Sequence, residues 1–224
     1  MVKIYQIETS SFCNAECSYC PHQKMTREQG NMSVEVFDQT ISVTENRYVA
    51  LHHFGEPFLN PNLSLFIHKT NEKGIQVEFS TNGSIDSIGR IKNVMSESPY
   101  RVRIAYDYFN PFSFIYHCIL LNKNTIITVH SVKDLSKLLT KKPFTNYAGA
   151  VEGKSEIEGE CYFKKYGYVC VLWDGRVVPC CCDYDGKEII GDVFHPETIK
   201  LKETYDLCKN CTGMQFAEGG KWDF

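Results

Sequence analysis

Over the first 130 or so residues, short apolar runs that alternate with period two give way repeatedly to longer stretches with a period near 3.6. The run KIYQIET near the N-terminus reads as a strand. Ser33 is placed to cap a helix whose apolar positions Val34, Phe37 and Ile41 fall at i, i+3 and i+7. RYVALHHF is a second strand, after which GEPFLNPNL turns into a helix through Leu65, Phe66 and Thr70 that stops at Gly74. IQVEFS is a third strand, closed by the turn signal TNG, and a polar helix is expected over residues 85–94. YRVRIAYDY and NTIITVH are the fourth and fifth strands, the last followed by a short helix over residues 133–139.

Strand–helix alternation at this pace predicts parallel βα units. A complete eight-unit barrel takes about 250 residues, so about 140 residues hold only four to five units. The expected fold is therefore α/β, a partial (β/α) barrel open on one side. From about residue 141 the chain turns rich in Gly, Cys and aromatic residues. WDGR, between two β-rich runs, reads as a hairpin turn. The expected division is a barrel core over 1–140 and a small cysteine-rich module over 141–224.

Composition narrows the function classes. The 224 residues carry a net charge of −3, which argues against gripping long nucleic acid unaided. No apolar run approaches the ~20 residues of a membrane helix, and a strand pattern begins at once, without a signal-peptide core. Eleven cysteines in such a chain point to a reducing, cytoplasmic setting in which thiols serve metals or chemistry.

Three of those cysteines, Cys13, Cys17 and Cys20, form a CxxxCxxC loop directly after the first strand. Thiolates are soft ligands suited to zinc or iron–sulfur clusters. Three of them on a [4Fe–4S] cluster leave one iron for a non-protein ligand; half of a zinc site is the alternative.

With Tyr19 between the last two cysteines, CxxxCxΦC after a first strand resembles the radical S-adenosylmethionine (SAM) enzymes. In that family the open iron chelates the amino and carboxylate groups of SAM. An electron from the cluster then cleaves the cofactor to a 5′-deoxyadenosyl radical that abstracts hydrogen from substrate. The resemblance extends to FGEP at Phe54–Pro57, where the family has Gly-Gly-Glu contacting the methionine amino group; Phe54 replaces the first Gly. STNG at Ser80–Gly83 ends the third strand as in many members, and IAYD at Ile104–Asp107 resembles a fourth-strand Ile-Ser-x-Asp, with Ala105 for Ser. The family's fifth-strand Gly-x-Ile-x-Gly has no equivalent in NTIITVHSV. The resemblance places Tyr19, Gly55, Glu56, Thr81, Asn82 and Asp107 at SAM. Read singly, GEP and TNG are ordinary turn chemistry and Asp107 an ordinary strand-end residue.

Cys161, Gly175 and Cys180 give C-x13-G-x4-C, followed by a CxxC at Cys208 and Cys211. This resembles the twitch module, a shortened SPASM module that binds one auxiliary [4Fe–4S] cluster through four cysteines, here Cys161, Cys180, Cys208 and Cys211. Cys181 and Cys182 are rivals for the second position, and a zinc ribbon is the alternative for the set. Cys118 and Cys170 lie outside both motifs and are expected as small buried hydrophobes.

The resemblance implies two [4Fe–4S] clusters, SAM, an electron donor such as flavodoxin or ferredoxin, and oxidation of a small polar substrate. An auxiliary cluster suits oxidation because a substrate radical must lose an electron. Peptide maturases commonly carry a leader-binding extension, and without one a small molecule is expected over a peptide. Nucleoside or peptide modification is the alternative chemistry; an iron–sulfur electron carrier or a zinc-stabilised binding protein is the alternative class. The catalytic acid or base is not identified by sequence. His52, His53, Arg103, Tyr106 and His130 lie near predicted strand ends, with Arg103, Tyr106 and His130 carried as candidates.

Overall fold

The computed structural model describes residues 2–85, 87–107, 109, 111–121, 124–130, 148–150 and 161–211. Eight strands form one sheet: β1 (Lys3–Ile7), β2 (Tyr48–Ala50), β3 (Gln76–Thr81), β4 (Arg101–Ala105), β5 (Ile126–His130), β6 (Tyr168–Val171), β7 (Arg176–Val178) and β8 (Gly191–Asp192). Their order is β5-β4-β3-β2-β1-β6-β7-β8. Strands β1 to β6 pair in parallel, and β7 and β8 pair antiparallel. The sheet is the expected partial barrel, open between β5 and β8.

Helices α1 (Val34–Val43), α2 (Leu63–Glu72), α3 (Ile88–Ser96) and α4 (Phe112–Leu121) cover one face. Period-two alternation sends Val49, Leu51, Val77, Phe79, Val102 and Ile104 to that face, where they are buried with Phe37, Phe66, Ile67, Ile91 and Phe114. Phe37 of α1 stacks on Phe66 of α2, with ring centroids 4.1 Å apart. The opposite face carries Tyr48, Glu78, Arg101 and Arg103. Inside the partial barrel, the Glu78 carboxylate accepts from Arg103 Nε and Nη2 at 3.1 and 2.9 Å.

Caps place the helix starts. The Ser33 hydroxyl accepts from Val36 N at α1 as expected, and the Ser87 hydroxyl accepts from Arg90 N, moving the start of α3 from residue 85 to Ile88. Gly74, at φ 66°, follows α2. The second strand is shorter than expected. Leu51 N still donates to Glu78 O, but His52, His53 and Phe54 bend away from the sheet. Among the described residues, two α-helices and one strand were not expected. Helix α4, FSFIYHCILL, is apolar all round, so no 3.6-residue stripe marks it; α5 (Tyr162–Tyr166) and β8 are too short to leave a period. The helix expected over 133–139 and the division at 140/141 lie outside the described residues.

The WDGR hairpin joins β6 to β7 with Gly175 at φ 94°, a left-handed conformation that favours glycine. This hairpin extends the barrel sheet itself, because β6 pairs directly with β1. Behind it, Phe163, Cys170, Leu172, Val178, Cys181 and Cys182 form a second small core. Cys118 and Cys170 are fully buried in hydrophobic clusters. Among the described residues no helix is long and apolar enough to cross a membrane.

Candidate active site

The cysteine loop leaves β1 through Glu8, Thr9, Ser10 and Ser11, all buried. Ser11 anchors it: its hydroxyl accepts from Gly30 N at 2.8 Å and its amide donates to Gly30 O at 3.0 Å. Cys20 N donates to Cys17 O at 2.9 Å, turning the CxxC segment back on itself. The three thiols lie within electrostatic range of one another. Burial pushes the Cys13 thiol up to about 11 and the Cys20 thiol up to about 12, so ligation must displace protons. Among the described residues no three His, Cys, Asp or Glu side chains converge as ligands of one metal ion. Three soft thiols on one loop at the C-terminal end of a parallel strand are a donor set whose chemistry fits an iron–sulfur cluster or zinc.

The loops after β2, β3 and β4 close around this one. A Cβ on Gly55 would stand 1.9 Å from Ser10 O and 2.8 Å from Phe12 O, so only glycine admits the cysteine-loop backbone here. Glu56 N donates to Phe12 O at 2.8 Å. The Glu56 carboxylate, 2% exposed, ties two strand ends together. Its Oε1 accepts from Phe58 N (3.1 Å) and Thr81 Oγ1 (2.8 Å), and its Oε2 from Asn82 N (2.8 Å). Burial raises its carboxyl to about 6, against the lowering effect of these donors. Oε2, with one of these three bonds, retains acceptor capacity suited to an ammonium group.

Asn82 Nδ2 donates to Asn14 Oδ1 at 2.9 Å, and Asn14 Nδ2 donates to Ser84 Oγ at 2.8 Å. Tyr19 donates its hydroxyl to Asp107 Oδ2 at 2.9 Å. Burial, then the neighbouring Cys17 and Asp107, hold the Tyr19 phenol well above its ordinary range. All six residues expected at the cofactor thus stand at strand ends or on the cysteine loop. Asn14 and Ser84, which complete the ring of contacts, carried no motif signal.

The proton-transfer candidates separate. Arg103 is committed to Glu78 and, as a guanidinium, is a donor only. Tyr106 is 44% exposed. His130 ends β5 opposite Ala105; its side chain is outside the description. His52 Nδ1 accepts from Ser80 N at 3.1 Å, so its ring proton sits on Nε2. Burial lowers the ring to about 4, leaving a neutral donor. His53 points elsewhere, to Cys181 O at 3.2 Å and Glu8 at 3.4 Å.

In the second cysteine set, Cys161 precedes α5, Cys180–Cys182 follow β7, and Cys208 lies within a 3-10 turn (Asp206–Asn210) that Cys211 caps, its N donating to Cys208 O. Cys208 lies in electrostatic range of Cys211 and Cys161. The Cys182 thiol is in hydrogen-bond contact with Cys180, Cys181 and Cys211, and Cys180 is within range of Cys211. Both Cys180 and Cys182 are therefore near Cys211, although they lie in the bend and turn after β7, where no strand parity sets their direction. Cys181 is buried in the small core.

The chain aligns over 100% of its length, and 98% of the relative's, with the S-adenosyl-L-methionine-dependent 2-deoxy-scyllo-inosamine dehydrogenase of Niallia circulans, at 23% identity. A tungsten-containing aldehyde ferredoxin oxidoreductase cofactor-modifying protein of Pyrococcus furiosus matches 38% of the chain and 25% of its own length, at 26% identity. Among solved structures, BtrN in complex with AdoMet and 2-DOIA superposes with a TM-score of 0.70 at 23% identity, covering 95% of this chain and 94% of that one. An open conformation of BtrN gives 0.64 at 18% identity, covering 100% and 98%. No family model matches. The chain thus shares its partial-barrel fold with BtrN and is similar along its whole length to an S-adenosyl-L-methionine-dependent dehydrogenase.

Proposed function

We propose that the chain is a radical SAM enzyme that oxidises a small polar substrate at a C–H bond, with an auxiliary cluster as electron outlet. The observation that carries the reading is the ring of strand-end contacts, Glu56 to Thr81 and Asn82 and Tyr19 to Asp107, built directly around the three-cysteine loop. Cys13, Cys17 and Cys20 are assigned to a [4Fe–4S] cluster. Cys161, Cys180, Cys208 and Cys211 are assigned to an auxiliary one, with Cys182 the rival of Cys180 through its contact with Cys211. When bound, the first cluster and SAM supply a 5′-deoxyadenosyl radical for hydrogen abstraction.

The chain's own residues hold and orient. Gly55 gives backbone access beside the cysteine loop, and Glu56 would offer its Oε2 as acceptor to the cofactor's ammonium. Thr81, Asn82, Asp107 and Tyr19 wall the remainder. Glu78, Arg103 and the Nε2–H of His52 line the barrel interior below, as partners for hydroxyl or amine groups of a substrate. A full-length relative that dehydrogenates an aminocyclitol supports a substrate of that kind. Reduction is assigned to a flavodoxin- or ferredoxin-like donor.

The test is anaerobic reconstitution followed by incubation with SAM, reductant and 2-deoxy-scyllo-inosamine deuterated at its ring carbons. The reading requires 5′-deoxyadenosine carrying substrate deuterium and one SAM consumed per ketone formed. Regenerated SAM, or a product isomeric with substrate, would make the reaction a rearrangement.

A further inference from the structure

Between the two cysteine loops lies a buried polar array that neither cluster motif contains. Glu8, the first residue past β1, is 0% exposed. Its Oε1 accepts from Arg27 Nη2 at 2.5 Å and faces His53 Nδ1 at 3.4 Å, while Oε2 accepts from Trp173 N at 3.3 Å. Arg27 and His53 are as enclosed, with side chains 5% and 1% exposed. These cationic and polar neighbours hold the Glu8 carboxyl below its ordinary range although burial opposes them.

The array reaches the second cysteine loop by its backbone. His53 Nε2 lies 3.2 Å from Cys181 O, and because a carbonyl oxygen only accepts, that nitrogen is the donor. Arg27 Nε donates to Tyr184 O at 2.9 Å. Asp185 returns the grip, accepting from Thr26 N at 2.6 Å, Thr26 Oγ1 at 2.7 Å and Arg27 N at 3.1 Å. The stretch after the first cysteine loop is thus bonded to the loop carrying three consecutive cysteines through four contacts, and His53, after β2, adds a fifth; all bypass the thiols.

We propose that Glu8, Arg27 and His53 are positioning residues for the auxiliary cluster: they fix the Cys181 and Tyr184 peptides, and through them the presentation of the Cys180 and Cys182 thiols. The inference rests on the auxiliary-cluster reading above. Three adjacent cysteines offer several ways to deliver one thiolate, and a flexible loop would sample them. With the Cys181 carbonyl drawn onto His53, the turn is fixed with Cys180 and Cys182 in contact with each other and within range of Cys211. Peptide orientation around a cluster sets which amide dipoles and hydrogen bonds its sulfurs feel, and those tune its potential.

The experiment uses the full chain with Cys13→Ala, Cys17→Ala and Cys20→Ala together, reconstituted anaerobically so that only the auxiliary site is loaded. His53→Leu removes the donor to Cys181; His53→Gln retains an N–H of similar reach. Iron and sulfide content, electron paramagnetic resonance and a redox titration are read for each. The expected result is one cluster in all three proteins, a shifted midpoint potential and altered g-values in His53→Leu, and return toward the parent in His53→Gln. Should His53→Leu fail to hold iron, Arg27→Lys keeps the charge but loses the fork joining Tyr184 O to Glu8, and the same shift is expected. Parent-like potential and g-values in every loaded variant would overturn the proposal. A parent without any cluster would overturn the auxiliary-cluster reading and the inference together.

Discussion

The Tyr19 hydroxyl donates to the Asp107 carboxylate at 2.9 Å, joining the aromatic position inside the cysteine motif to the end of β4, 88 residues away. A hydrogen bond to a charged acceptor is worth about 1.5–3 kcal/mol. Its part here is to hold the cysteine loop at the C-terminal ends of the barrel strands. Tyr19→Phe should leave cluster content unchanged and raise the Kd for SAM about tenfold. Asp107→Asn, which keeps an acceptor oxygen, should have the smaller effect. Equilibrium dialysis of the reconstituted protein measures both.

Gly55 makes a sharper prediction. Its Cβ position lies 1.9 Å from a backbone oxygen, which no rotamer change relieves. Gly55→Ala should destabilise the apo protein at or beyond the upper end of the about 1–3 kcal/mol typical of overpacking. Gly89→Ala is the control: it sits within α3 with nothing nearer than 3.9 Å, and should stabilise by up to about 1 kcal/mol. Urea unfolding of the two variants should move the midpoint in opposite directions.

Glu56 predicts a pH dependence of cofactor binding. Its carboxyl is raised from 4.5 to about 6, so it is substantially protonated below pH 6 and offers less charge to an ammonium group. SAM affinity should fall as pH drops from 7.5 to 5, and binding near pH 6 should release a proton. Calorimetry in buffers of different ionisation enthalpy detects that release. For stability the sign is opposite: a raised carboxyl favours the fold below about pH 4.5 and loses that contribution as pH rises through 6.

His52 predicts acid lability from the neutral side. A ring lowered from 6.5 to about 4 contributes stability that is complete above pH 6.5 and is lost as pH falls through 4. The full effect is no more than about 3 kcal/mol. His52→Asn should flatten the loss of stability between pH 6.5 and 4, measured by chemical unfolding across that range.

Much of this site was legible because its signals are local. Cys13, Cys17 and Cys20 share one loop, Thr81 ends β3, and Gly55, Glu56, Asn82 and Asp107 each come after a strand that period-two alternation marks. The contacts that assemble them are not local. Asn14 meets Ser84 across 70 residues and Arg27 meets Asp185 across 158, and neither pair has a period or spacing to betray it. His52 and His53 look interchangeable in the sequence. The bend after β2 sends one ring to Ser80 and the other to Glu8 and Cys181. Helix α4 escaped for the reverse reason, having too many apolar residues for a stripe to stand out.

The pairing of β6 with β1 bears on how this chain can be cut. Lys3, Ile4, Gln6 and Ile7 register against Tyr168, Val169, Cys170 and Val171. A fragment ending near residue 140 would therefore strip the strand that launches the three-cysteine loop of its neighbour on that side. It would become a raw edge with unpaired amides and carbonyls, a template for self-association. The half bearing the three-cysteine loop and the half bearing the second cysteine set are two segments of sequence joined in one sheet, and a well-behaved fragment that keeps the three-cysteine loop is expected to need the β6–β7 hairpin.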